Sequence, residues 1–128
     1  MMESALRQRL KDDAGVAAIV GTRIDWIERP QRSAFPAVVL QIVSAPRPQH
    51  MAGVQSFRQS RVQFDCFATT AKEAAELCEA VIAAILPAAT VSATQFLRGF
   101  INDVRDLGED TDGGFVHRRS IDAYIWHE

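Results

Sequence analysis

Residues that could carry out chemistry are few in this chain of 128 residues, and none stands in a familiar catalytic or metal-binding pattern. The histidines His50, His117 and His127 are not spaced from one another or from a cysteine as metal ligands usually are, so surface histidines are the simplest interpretation. Cys66 and His117 could form a nucleophile pair, but Cys66 alternates with core residues of a predicted strand, which favours a buried thiol. The chain also lacks a glycine-rich phosphate loop and the common hydrolase and zinc motifs. The sequence therefore predicts no enzymatic activity, no metal and no cofactor.

The acidic segment between Gly108 and Gly114 is a second candidate site. It carries the carboxylates Glu109, Asp110 and Asp112, and its closing glycines suit a tight turn. The spacing of its last acidic residues resembles part of a calcium loop, but the remaining ligands and the closing glutamate are missing. Two interpretations stay open, namely a solvated hairpin tip or a surface that repels a nearby polyanion.

Composition and charge limit the class of protein. Hydrophobic residues make up 48% of the chain and charged residues 23%, which is typical of a globular domain. The 14 basic and 16 acidic residues leave a net charge of −2, which disfavours a dedicated nucleic-acid-binding protein because such proteins usually carry a basic patch. The longest apolar run, Ala80 to Leu86, is much shorter than the roughly 20 residues that span a bilayer. With only two cysteines, these features predict one soluble domain over residues 1–128, in a reduced compartment.

Hydrophobic spacing predicts three helices. The first runs from Glu3 to Asp12, and the second, from Ala14 to Val20, follows Asp13 as its N-terminal cap. The third and longest begins after a capping box at Thr70 and ends before Pro87. Its predicted buried face carries Ala74, Leu77, Cys78, Val81, Ile82 and Ile85.

Alternation and β-branched composition predict five strands, and the link between the second and third strands, Ala45 to Ser56, is predicted to be a long mobile loop. The predicted strands are Arg23 to Ile27, Ala37 to Ser44, Phe57 to Ala68, Gln95 to Leu107 and Phe115 to Trp126. This order predicts an α+β fold with a mainly antiparallel four- to five-stranded sheet. One long and one or two short helices are expected to pack on one face of it.

The face of the sheet opposite the helices is unusually apolar. A sheet covered on one side is normally polar on the other, so large apolar residues there indicate a covered surface. Either the chain folds over this face or another subunit contacts it, and contact with another subunit is the preferred interpretation. The loop after the second strand is the other candidate contact. The predicted interface residues are Val39, Val43, Phe67, Tyr124 and Trp126 on the sheet, with Arg47, His50 and Met51 in the loop.

Three sequence blocks resemble a known family. Ala14 to Ile24 contains a small helix followed by Gly-Thr-Arg-Ile, and Phe35 to Gln41 matches the strand that comes next. Val62 to Ala68, leading into Thr70 to Ala74, is similar to the family's strand-into-helix signature. In this order and spacing the blocks resemble the tail completion, or tail terminator, proteins of long-tailed bacteriophages, prophages and gene transfer agents. The resemblance covers about Glu3 to Leu86 well and the last hairpin loosely.

The resemblance implies a structural protein without catalytic residues or cofactors. Such proteins form a ring, commonly a hexamer, at the head-proximal end of the tail tube. The ring ends tube polymerisation and joins the tail to the head-side connector or stopper protein. The implied partners are therefore further copies of the chain, the tail tube protein and that connector, with no membrane. The implied location is the virion tail, after assembly in the bacterial cytoplasm.

DNA would pass through such a ring without specific binding. A net charge of −2 is modest for a channel that duplex DNA must cross, so a negative lumen would depend on local placement. The acidic residues Glu109, Asp110 and Asp112 are the candidates for facing the channel. A small ligand-binding or regulatory α+β domain that oligomerises through its sheet is the alternative function.

Overall fold

The computed structural model describes residues 2–28, 34–47, 49–50, 53–54, 57–111 and 114–128. Within these residues the chain forms three helices, a seven-stranded mixed sheet and a separate two-stranded ribbon. The elements are α1 (Met2–Asp12), α2 (Ala14–Val20), β1 (Ile24–Trp26), β2 (Ala37–Ser44), β3 (Gln49–His50), β4 (Gly53–Val54), β5 (Arg58–Ala68), α3 (Ala71–Ile85), β6 (Ala89–Val91), β7 (Thr94–Phe96), β8 (Phe100–Thr111) and β9 (Gly114–His127).

Two of the three helices, α2 and α3, begin at the capping residues that the sequence predicts. Asp13 Oδ1 accepts a hydrogen bond from the Val16 amide at 3.0 Å at the start of α2. Thr70 Oγ1 accepts a hydrogen bond from the Glu73 amide at 3.1 Å at the start of α3. Both bonds satisfy amide groups that have no partner within the helix. The predicted helix bounds are therefore confirmed to within one residue.

The sheet is larger than predicted, and it is mixed. The strand order is β1-β2-β5-β9-β7-β6, and β8 pairs with β9 on the same edge as β7. β1 lies parallel to β2, whereas the other pairs are antiparallel. The prediction of four to five strands is wrong because β6 precedes the predicted strand Gln95 to Leu107, and that strand is divided into β7 and β8. β6 and β7 have three residues each. Strands this short contain too few alternating positions to be recognised.

Two predicted loops contain strand. β8 continues to Thr111, so Glu109 and Asp110 pair with Val116 and Phe115 instead of lying in a loop. A ladder formed by backbone groups tolerates acidic side chains where both faces meet water, and this arm of the hairpin is exposed. The segment Ala45 to Ser56 holds β3 and β4, which pair with each other, and is therefore not a featureless loop.

The core lies between the three helices and one face of the sheet. Its largest fully buried side chains come from all three helices and from β1, β2, β5, β7 and β9, and include Leu6, Leu10, Leu40, Phe64, Leu77, Phe96, Ile121 and Ile125. The predicted buried face of α3 is confirmed, with Ala84 added and Ile82 half-buried. Arg9 is also buried, donates a hydrogen bond to the Pro87 carbonyl and lies over the Phe96 ring. It thereby connects α1 to the segment that follows α3.

Candidate functional site

The open face of the sheet carries the residues that alternation predicts. Ile121, Ala123 and Ile125 are buried against the helices, so Tyr124 and Trp126, between and beyond them on β9, lie on the opposite face. Both aromatic side chains are half-buried. The predicted facing of β9 is therefore confirmed.

The apolar residues of the open face differ in how far the chain itself covers them. Val39 is only 6% exposed, whereas Val43, on the same strand, is 45% exposed. Phe67 is half-buried, with the Phe35 ring 6.3 Å away and the Arg118 guanidinium carbon 5.9 Å from its centroid. Neighbouring side chains of the same chain therefore cover the Val39 and Phe67 end, and the Val43 end stays open.

A polar cluster crosses the middle of this face. Arg61 on β5 forms a bidentate pair with Asp122 on β9, with its Nε 2.9 Å from Oδ1 and its Nη2 2.6 Å from Oδ2. Asn102, which lies in a β-bulge between Ile101 and Asp103, donates a hydrogen bond from its Nδ2 to Asp122 Oδ2 at 2.9 Å. The hydrogen bond from Arg61, supported by the one from Asn102, holds the pKa of Asp122 below its usual value, although burial acts the other way.

Sequence reasoning did not find this cluster. A second ion pair joins β8 to β9, because the Arg119 guanidinium binds Asp106, with Nε 2.7 Å from Oδ1. This pairing follows from the register of β8 and β9, which places Asp106 directly opposite Arg119. Only the register could have revealed it, because facing residues on antiparallel strands interact whatever their separation in sequence.

An apolar depression of about 710 Å³ lies at the β1 edge of the sheet. Trp26, Ile27 and Ile42 supply its apolar surface, and we call these three residues the β1 patch. Ile27 is 77% exposed and has a φ angle of 72°, which is strained for a β-branched residue. Its amide donates to the Leu40 carbonyl at 2.7 Å, which holds it at the end of the parallel pair.

A second apolar depression, of about 550 Å³, lies where β7 passes into β8. Leu97, Phe100 and Trp126 line it, and we call them the β7–β8 patch. Phe100 is 54% exposed. Gly99 fixes the backbone here, because an added Cβ would lie 2.6 Å from the Ile85 carbonyl oxygen. The position of this patch is therefore tied to the end of α3.

A small cavity of about 170 Å³, lined by both polar and apolar residues, lies at the end of β9. His127 and Ser60 line it and are both buried, with His127 Nε2 2.7 Å from Ser60 Oγ. The expectation of a surface histidine is therefore wrong for His127. Burial lowers its pKa below the usual value. Arg47 also lines this cavity and is exposed, whereas the side chain of His50 and the whole of Met51 lie outside the described residues.

The other predicted site residues are the acidic residues of the β8–β9 hairpin and the two cysteines. Glu109 and Asp110 are exposed near the end of the hairpin arm, and Asp112 lies outside the described residues. Cys66 and Cys78 are free and buried, and burial raises the pKa of the Cys66 thiol well above its usual value, as expected of an inert core cysteine. Within the described residues, no group of three or more histidine, cysteine or acidic side chains could hold a metal ion.

Comparison with known proteins identifies the family. The model of the family described as "Tail completion protein gp17" matches residues 4–127, nearly the whole chain. The chain belongs to this tail completion protein family. A chain of the solved structure "Virion of native gene transfer agent (GTA) particle" has a similar fold, with a TM-score of 0.75, 18% sequence identity, and coverage of 99% of this chain and 94% of that one. No curated protein matches.

Family membership makes the chain a structural protein of a phage-like tail, located in the virion tail. The resemblance seen in the sequence blocks is therefore confirmed, and the match extends to the last hairpin. No helix among the described residues is long and apolar enough to cross a membrane.

Proposed function

We propose that this tail completion protein forms a ring, of six subunits, at the head-proximal end of a tail tube. The ring ends tube polymerisation and presents a surface to the head-side connector or stopper protein. The observation that carries this proposal is the family match over residues 4–127. On this proposal the whole chain acts as one structural domain, with no catalytic role, and DNA passes through the ring without specific binding.

The contacts fall on two parts of the chain. The open face of the sheet contacts a neighbouring subunit through Val43, Tyr124 and Trp126, and through the exposed part of Phe67. Val39, which is 6% exposed, is covered by the chain itself and takes no part in this contact. The segment 45–56, which holds the β3–β4 ribbon, reaches the next subunit or the tail tube through Arg47, His50 and Met51. Segments of this length in a small domain frequently serve a binding function.

The acidic end of the β8–β9 hairpin has a different role on this proposal. Glu109 and Asp110, with Asp112 beyond the described residues, face the channel of the ring. Their carboxylates oppose adhesion of the DNA phosphates during passage. The exposure of Glu109 and Asp110 and their position on an arm away from the core support this placement.

The experiment that tests the function is tube capping in vitro. Purified protein is added to polymerising tail tubes, and tube length and the mass at tube ends are measured by electron microscopy. We expect capped tubes of limited length with a ring at one end. A variant in which 45–56 is replaced by a tight turn should stay folded but leave tubes uncapped.

Comparing the full-length protein with the shortened variant distinguishes failure of the proposed function from failure of the role given to the segment 45–56. If the full-length protein neither binds tube ends nor limits tube length, the proposed function is wrong. If the shortened variant caps tubes as well as the full-length protein, only the role of the segment 45–56 is wrong. Circular dichroism of the shortened variant controls for loss of folding.

A further inference from the structure

The two apolar patches lie on opposite edges of one sheet. The β1 patch is at the edge formed by β1 and β2, and the β7–β8 patch lies beyond β9. Because β1 pairs with β2 only at Val38 to Leu40, the outer edge of β2 from Gln41 onward has no partner strand among the described residues. Each patch is thus accessible to another molecule.

The register places both patches at nearly the same height along the strands. Ile42 on β2 pairs with Val62 on β5, Val62 with Ala123 on β9, and Ala123 with Ile101 on β8. Phe100 is the neighbour of Ile101, about 3.3 Å further along the strand. The patches lie on opposite faces of the sheet, because Phe100 pairs with Tyr124 on the open face whereas Ile42 pairs with the buried Val62. A second copy whose edge overlaps the edge of the first therefore brings the patches together with little displacement along the strands.

The charges beside the patches are complementary. Arg98, between Leu97 and Phe100, is exposed and makes no ion pair with any residue that the structure describes. Glu3 lines the β1 depression, and Glu28 follows Ile27. Arg7 lines the same depression and lies 4.0 Å from Asp25, and this cation is outnumbered beside the patch by Glu3, Asp25 and Glu28.

The backbone at Ile27 adds an independent indication. A β-branched residue with positive φ is strained, and strained residues persist where the surrounding structure enforces them and are concentrated at functional sites. Here the Trp26 indole donates to the Glu3 carbonyl at 2.7 Å, which fixes the turn that presents Ile27 to solvent. The strained turn displays an apolar side chain that makes little contact within its own subunit.

We propose that the β1 patch of one subunit docks on the β7–β8 patch of a second copy of this chain, with Ile27 against Phe100 and Arg98 near Glu3 and Glu28. The inference rests on the proposed function, since it names the contact that builds the ring. Two different patches meeting head to tail give a heterologous contact, which generates a closed ring when the rotation between subunits closes.

The test uses Ile27→Gly and Phe100→Asp, with Leu107→Ala as the matched control on an exposed apolar residue outside both patches. Glycine accepts positive φ without strain, so Ile27→Gly should melt at the same or a higher temperature while losing assembly. Masses are measured by light scattering in solution and by microscopy on tail tubes. We expect the wild type and Leu107→Ala to form rings, and each patch variant to remain monomeric.

Mixing the two patch variants gives the sharpest result. Ile27→Gly keeps an intact β7–β8 patch and Phe100→Asp keeps an intact β1 patch, so one productive contact can form between them. We expect heterodimers and nothing larger. Assembly of both patch variants as in the wild type would overturn the docking contact while leaving the proposed function intact. Absence of wild-type rings both in solution and on tubes would overturn the proposed function as well.

Discussion

His127 lies at the end of the last strand with 4% of its surface exposed. Its Nε2 is 2.7 Å from Ser60 Oγ, and its Nδ1 is 3.3 Å from the Glu128 carbonyl. Burial lowers the pKa of the imidazole and outweighs the opposite effect of that carbonyl, so the folded protein keeps this side chain neutral. A neutral buried histidine makes stability depend on pH.

The expected pH dependence follows from the sign of this shift. In the unfolded chain His127 titrates near pH 6.5, above its pKa in the folded state. As pH falls through about 6.5 the unfolded state binds more protons than the folded state, so the free energy of unfolding declines. Urea unfolding at pH 7.5, 6.5 and 5.5 should show this decline in the wild type and a flatter profile in His127→Gln.

Asp122→Asn is the control for this prediction. Hydrogen bonds from Arg61 and Asn102 lower the pKa of Asp122, so its contribution is present above about pH 4 and is lost as pH falls through its folded value. The variant should therefore be less stable above about pH 4, keep the same slope of decline between pH 7.5 and 5.5, and lose only the acid-range dependence that Asp122 causes. A full decline between pH 7.5 and 5.5 in His127→Gln would contradict the role assigned to the imidazole.

Among the elements, α3 is the one that sequence reasoning describes best. Its N-terminal cap, its end before Pro87 and the phase of its buried face follow from residues within a few positions of one another. β6 and β7 lie at the opposite extreme, since strands of three residues acquire their order from the strands beside them. Prediction from sequence thus succeeds where the signal is local and long enough to repeat.

The buried phase of α3 can be tested by truncation. Leu77 is fully buried in the core between α3 and the sheet, and Leu77→Ala removes side-chain volume that the surroundings cannot fill. We expect the free energy of unfolding to fall by about 2–5 kcal/mol. Lys72→Ala, on the exposed side of the same helix, should change it by less than about 0.5 kcal/mol. A loss below about 1 kcal/mol at Leu77 would contradict the packing.

At the scale of the whole molecule, the two ends of β9 have different characters. One end lies beside the exposed acidic residues Glu109 and Asp110, and the other holds the buried His127. The 14 residues of β9 make these ends about 40 Å apart. In the proposed ring, this separation would let the acidic arm face the channel while the opposite end of the strand contacts other components.

Neutralising the acidic arm tests its placement. The variant Glu109→Gln, Asp110→Asn, Asp112→Asn should form rings normally but slow or stall genome passage, because the channel wall would adhere to DNA. The Debye length is about 8 Å at physiological salt, so only carboxylates close to the DNA path have this effect. The measurement is DNA delivery per particle, at matched particle yield.

The control neutralises three carboxylates on α3, Glu73, Glu76 and Glu79, and leaves the arm unchanged. This variant has the same net charge as the arm variant, so a general charge effect would slow both equally. We expect delivery to stay at the wild-type level in the control. Unchanged delivery in the arm variant would place the acidic end outside the channel.

The sequence by itself determined the three helices, the longer core strands, the buried thiols and the family, because caps, periodicity and ordered blocks are local signals. The tertiary structure decided which strands pair, and with them the side-chain environments. Arg61 and Asp122 are 61 positions apart, and His127 is buried where β5 and β7 pair on either side of it. The two patches likewise lie at the same position along the strands only because β2, β5, β9 and β8 pair in this register. Such features depend on long-range register, which a single sequence does not reveal.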